Sequence, residues 1–139
     1  GSIGKSFIKG FGISKGAIAT SVGHDHHNIT VVGSDAEDMA AAVNRIHELN
    51  GGIVIAEDGK IKYELPLPIC GLLTDLNGEE SALVLKEMQE DLHSKGCEME
   101  SYMTLAFITL IFIPFYGITD KGLVDVINGK LVDPIISVK

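Results

Sequence analysis

The stretch GGIVIAEDGKIKYELPLP, Gly51 to Pro68, decides the fold. Ile53–Ala56 and Ile61–Leu65 are β-favouring runs, and between them EDGK offers Asp58-Gly59, a pair that tolerates the positive φ of a tight hairpin turn. Strands joined this closely run antiparallel, because parallel neighbours need a crossover of about a dozen residues or more. Pro66 and Pro68 each lack an N–H, so the second strand ends there or lies on a sheet edge.

Working outward, SDAED opens a helix. Ser34 and Glu37 have capping-box spacing, Met39, Val43, Ile46 and Leu49 recur at helical intervals, and Asn50-Gly51-Gly52 supplies left-handed residues to stop it. A second helix fits Glu79 to Ser94, with Ala82, Leu85, Met88 and Leu92 on one face and Gly96 as the stop. Ala17–Val22 and Ile29–Val32 read as short strands. Leu105–Ile113, with three Ile, two Phe and one Thr, reads as a buried strand, although its length also permits a helix. Asn128-Gly129 marks another hairpin. Six to eight strands with hairpins and about two packed helices, without regular βαβ alternation, predict one α+β domain over residues 1–139 with a mostly antiparallel sheet.

Composition narrows the function. Nineteen acids against eleven bases give a net charge of −8, with no Lys/Arg run to neutralise phosphates, so nucleic acid and anionic membranes are poor partners. The longest apolar run, Leu105 to Tyr116, is interrupted by Thr109 and Pro114 and falls short of the roughly 20 residues that span a bilayer. GSIGKSF at the start lacks the charged and apolar regions of a secretory signal. Cys70 and Cys97 form no CxxC or Cys/His metal pattern, which fits reduced thiols and a cytoplasmic setting. Gly1-Ser2 has the form of a cloning remnant, and the chain is expected to be a piece of a longer protein.

GHDHHN, Gly23 to Asn28, holds three of the five histidines and lies between the first two predicted strands. Its imidazoles and carboxylate suit a divalent metal, which makes His24, Asp25 and His27 metal candidates. An extended segment would put His24 and His26 on one side and Asp25 and His27 on the other, so further ligands would be needed, and His47 and His93 lie on predicted helices. Alternatively the side chains cap a turn, with Asp25 and Asn28 making Asx-type bonds, or they touch a substrate or partner. KGFGISKG superficially resembles a phosphate loop, but no helix follows, so its glycines are read as bends or close strand contacts. Glu79, Glu80, Glu87, Glu90 and Asp91 are read as a solvated helix face.

KGFGISKGAIATSVGHDHHNITVVGSDAEDMAAAVNRI, then GGIVIAEDGKI, ELPLPICGLLTD, MTLAF and ITDKGLVDV, in this order, resemble the C-terminal domain of bacterial adenine deaminases of the amidohydrolase superfamily. The resemblance covers nearly the whole chain. It implies a larger, metal-dependent enzyme of purine salvage that converts adenine and water to hypoxanthine and ammonia. Its manganese or iron would sit in an N-terminal (β/α)8 barrel, with no metal expected in this chain. The implied partners are that barrel and further copies of the enzyme. The family's loop is similar to His-Asp-Ser-His-Asn, so His24, Asp25, His27 and Asn28 carry over as substrate or interface candidates, while His26 replaces a serine. Ile111 stands where the family tends to have proline. The chain also starts past the family's expected first strand, which would leave a sheet edge open for self-association. The rival readings are a stand-alone small-molecule-binding or oligomerisation module without hydrolase activity, and a small metalloprotein built on the histidine loop.

Overall fold

The computed structural model describes residues 1–23 and 25–135. In chain order the elements are β1 (Ala17–Thr20), β2 (Thr30–Gly33), α1 (Ala36–Leu49), β3 (Gly52–Glu57), β4 (Lys60–Pro66), α2 (Gly78–Ser94), α3 (Met103–Phe107), β5 (Tyr116–Thr119), β6 (Gly122–Asp125) and β7 (Lys130–Val132). The first four strands form one antiparallel sheet in the order β2-β1-β3-β4, and β5-β6-β7 form a second, so the α+β expectation holds. Glu57 pairs with Lys60 across a two-residue turn in which Asp58 has φ 53 and Gly59 φ 70, the hairpin read from EDGK.

Alternation along β3 explains why the larger sheet needs cover on both faces. Ile53 and Ile55, with Ile18 of β1, Val32 of β2 and Leu65 of β4, pack against Met88 and Leu92 of α2 and Leu105 of α3. Val54 and Ala56, with Ala19, face Ala42 and Ile46 of α1. The small side chains on this second face let α1 approach closely.

Four local expectations need correction or refinement. The α1 cap is Asp35, whose side chain accepts from the Asp38 N–H at 2.9 Å, because the Ser34 hydroxyl is committed to the Gly16 carbonyl. Leu105–Ile113 is not a strand: it continues from α3 into turns, with the Ile108, Thr109 and Leu110 N–H groups bonded to carbonyls three or four residues back. Pro114 cannot extend a ladder, and the run buries Leu105, Ala106 and Leu110 while Phe107, Ile111 and Phe112 stay exposed. Gly12 and Gly16 of KGFGISKG are close contacts, since a Cβ at Gly12 would lie 2.2 Å from the Gly96 carbonyl oxygen and one at Gly16 2.6 Å from that of Ala56, whereas Gly10, with φ 96, stands in open space as a bend. The Asn128-Gly129 hairpin forms, but as a four-residue loop in which Asp125 accepts from both the Asn128 backbone and side-chain amides.

A β-bulge in β4 leaves Lys62 unpaired, because Ile55 faces Tyr63 while Ala56 faces Ile61. The bulge turns Lys62 toward α2, where its ammonium lies 2.5 Å from Asp91. Lys95 joins Asp91 and Glu57 at 2.6 Å each, and Lys15 and Lys62 reach Glu57 at 3.2 Å. The Lys95 ammonium, with Lys15 and Lys62, holds the Glu57 carboxyl down at about 2. This network locks the far end of β3 to α2, leaving the other end of β3, at Gly52, to frame the loop site.

Candidate functional site at the His27 loop

The 23–28 segment is a tight turn rather than an extended strand-to-strand link. Both the His26 and His27 N–H groups donate to the Gly23 carbonyl, at 3.1 and 2.6 Å. His27 takes a left-handed backbone, φ 55, which redirects the chain so that the two neighbouring imidazoles diverge. His26 turns back into the body and meets Thr109 Oγ1 at 2.5 Å, beyond the end of α3. The Thr109 hydroxyl gives its proton to the Ala106 carbonyl at 2.7 Å, so His26 Nε2 must be the donor. His26 Nδ1 accepts the Asn28 N–H at 3.0 Å, which fixes the neutral Nε2–H tautomer. Both ring nitrogens are thereby engaged in holding the loop.

His27 is exposed and lines a cavity of about 260 Å³ together with Ser21, Ile29, Ile46, His47, Asn50, Gly51, Cys70 and Gly71. Its wall is fixed by a close backbone approach. A Cβ at Gly51 would lie 2.5 Å from Gly71 Cα, and Leu67 N–H donates to the Gly51 carbonyl at 3.0 Å. Ser21 clamps the same junction, donating to the Gly71 carbonyl at 2.7 Å and accepting the Gly52 N–H at 2.9 Å. Cys70 sits in the turn bridged by Ile69 and Leu73, with φ 57. Among the described residues four non-glycines have positive φ: Asp58 serves the hairpin, and His27, Asn50 and Cys70 all line this cavity.

The loop candidates therefore separate. His27 reaches the cavity, Asp25 is exposed at the turn, Asn28 is tied through its backbone to His26, and His24 lies outside the described residues. Among the described residues no group of three or more His, Cys, Asp or Glu side chains is placed to hold a metal ion. Cys70 is exposed, Cys97 is buried, and both are free thiols. No helix among the described residues is long and apolar enough to cross a membrane.

Sequence reading missed Ser21, His47, Asn50 and Cys70 as neighbours of His27. The Pro66, Pro68 and Gly71 pattern signals a turn around Cys70, but nothing local signals which loop it meets. A larger depression of about 440 Å³ lies along β4, lined by Arg45, Glu48, Ile61, Lys62, Tyr63 and Glu64. Its charges satisfy one another: Arg45 is bidentate to Glu64 at 2.7 and 2.9 Å and also meets Glu48 at 2.8 Å. The His27 cavity, with its imidazoles and its cluster of unusual backbone angles, is the better candidate for ligand contact.

A helix-covered antiparallel sheet with a polar loop and cavity at one end defines an α+β domain. The chain belongs to the adenine deaminase C-terminal domain family, whose family model matches residues 1–130. It is 48% identical over 132 residues to the adenine deaminase of Kosmotoga olearia, covering 94% of this chain and 23% of that protein. It is 47% identical over 134 residues to that of Archaeoglobus fulgidus, covering 96% and 24%, and 48% identical over 139 residues to that of Staphylothermus marinus, covering 99% and 23%. The chain thus spans about a quarter of the length of the relatives it matches.

Proposed function

We propose that this chain is the auxiliary C-terminal domain of a cytoplasmic enzyme that hydrolyses adenine to hypoxanthine and ammonia, and that the His27 loop faces the mouth of that enzyme's active site. The activating metal, manganese or iron, belongs to a barrel outside this chain in the amidohydrolase manner, so the chain by itself performs no deamination. The observation that carries the placement of the loop is the divergence of its histidines: His26 is spent on anchoring, while His27 is held exposed over a polar cavity by a strained backbone. A loop held by its own anchor and offering an imidazole outward suits substrate contact or proton transfer at a neighbouring reaction centre.

The same reading gives the apolar lobe a purpose. Phe107, Ile111, Phe112, Phe115 and Tyr116 are each at least half exposed, and together they form the sort of patch that packs against another domain. In the complete enzyme, Asp25→Ala and His27→Ala are expected to lower kcat/KM by about tenfold or more, with little change in the thermal midpoint, since exposed loop side chains contribute little to stability. Unchanged kcat/KM for both variants, or a collapse in stability, returns the loop to a purely structural role.

A further inference from the structure

Resting on the placement of the His27 loop at an active-site mouth, we propose that the cavity behind this loop receives an uncharged purine base, and that Cys70 is the wall that limits what can enter. The lining chemistry carries the argument. Among the described residues no Lys, Arg, Asp or Glu lines the cavity, which disfavours a phosphate or carboxylate there. Instead the imidazoles of His27 and His47 and the amide of Asn50 offer hydrogen-bonding groups, and Ile29 and Ile46 supply apolar surface. A flat heteroaromatic ring with hydrogen-bonding edges matches this combination.

Size and field point the same way. A volume of about 260 Å³ lies just below the usual range for drug-sized ligands, which suits a bicyclic base without its sugar. His47 and Asn50 stand at the carbonyl end of α1, where the helix dipole favours ligand N–H groups over anions. Cys70 and His27, more than forty positions apart in sequence, line the same space with left-handed backbones. A change of bulk at Cys70 therefore alters the room left for the base without touching the loop's anchor on Thr109.

The exposed thiol supplies the test, with buried Cys97 as an internal reference. The complete enzyme is treated with N-ethylmaleimide, and modification at Cys70 is followed by peptide mass spectrometry. Adenine or hypoxanthine should slow labelling of Cys70, whereas adenosine monophosphate should not. The maleimide adduct and, separately, Cys70→Trp should raise KM by about tenfold with a smaller change in kcat and an unchanged thermal midpoint. A labelled Cys70 with unaltered KM and no protection by adenine overturns the inference, as does equal protection by the nucleotide. A Cys70 that fails to react in ligand-free enzyme overturns it too, because the cavity would then be closed. If these fail while His27→Ala still lowers kcat/KM, the loop keeps its place at the mouth and only the purine cavity is lost; if His27→Ala is also silent, both readings fall.

Discussion

His26 and His27 are adjacent in sequence and part company in space, and the difference is a matter of one backbone angle and one hydroxyl. A GHDHHN segment read as residue types gives an aspartate and several equivalent imidazoles, whereas the fold gives His26 two fixed partners and leaves His27 exposed over the cavity. His26→Ala should lower unfolding stability by about 1–2 kcal/mol in denaturant titration, the range expected when a hydrogen-bonded side chain is lost and its partners must find others. A loss below about 0.3 kcal/mol would mean the anchor contributes little. Thr30 makes the opposite case: its buried Oγ1 has no hydrogen-bond partner. Thr30→Val keeps the shape and removes an unsatisfied hydroxyl, so it should leave stability unchanged or raise it by up to about 1 kcal/mol. A clear destabilisation in the same titration would show that the hydroxyl is engaged. The His26–Thr109 partnership could not be read from the sequence, because the two lie 83 residues apart and no local pattern joins them.

At the scale of elements, the hairpins and the two long helices were legible because their signals are local: Asp58-Gly59, Asn128-Gly129, the helical spacing of Met39 to Leu49, and Gly96 after α2. Reading failed where two elements compete for one group. The α1 cap moved from Ser34 to Asp35 because Gly16 had claimed the Ser34 hydroxyl, and the 105–113 run is a helix and turns that buries Leu105, Ala106 and Leu110 while leaving Phe107, Ile111 and Phe112 exposed. The ionic network of Glu57, Asp91 and Lys95 was equally invisible, since it depends on a bulge that turns Lys62 onto α2. Its pH dependence has a definite sign. Glu57 is held at about 2, below its ordinary 4.5, so its contribution is fully present above pH 4.5 and is lost as the pH falls toward 2. Melting temperature should therefore decline through that window. Lys95→Met strands Glu57 and Asp91 with fewer partners and should cost about 3 kcal/mol at neutral pH, with an acid decline that is smaller and confined to a narrower window below pH 4.5. A variant with the parent's pH profile would remove Lys95 as the centre of the network.

For the whole molecule, the asymmetry of its surface is the dominant fact. The sheet carrying β1 to β4 is covered on both faces, yet half of the large exposed apolar side chains fall between residues 107 and 135, in and around the small β5-β6-β7 sheet. Among the described residues, the Ile118 N–H donates to the Ile108 carbonyl at 3.1 Å and Ser2 Oγ to Asp120 at 2.8 Å, tying that sheet to the turn after α3 and to the N-terminal segment. Among the described residues no strand lies beside the outer edge of β7, next to Leu131 at 57% exposure. The net charge of −8 opposes association, but it acts over about 10 Å at ordinary salt and is spread over the chain, while apolar burial is local. At 0.1 M salt the apolar lobe should win, and the 139-residue chain should form dimers or larger assemblies at micromolar concentration. Phe112→Asp with Phe115→Asp, at positions 69% and 66% exposed, should restore the monomer without lowering the melting temperature, because neither side chain supports the core. Light scattering across a dilution series decides the matter: a parent chain that scatters as a monomer at every concentration would show that this lobe does not seek a partner, and assembly that survives the double substitution would place the contact elsewhere, with the exposed edge of β7 the next surface to block.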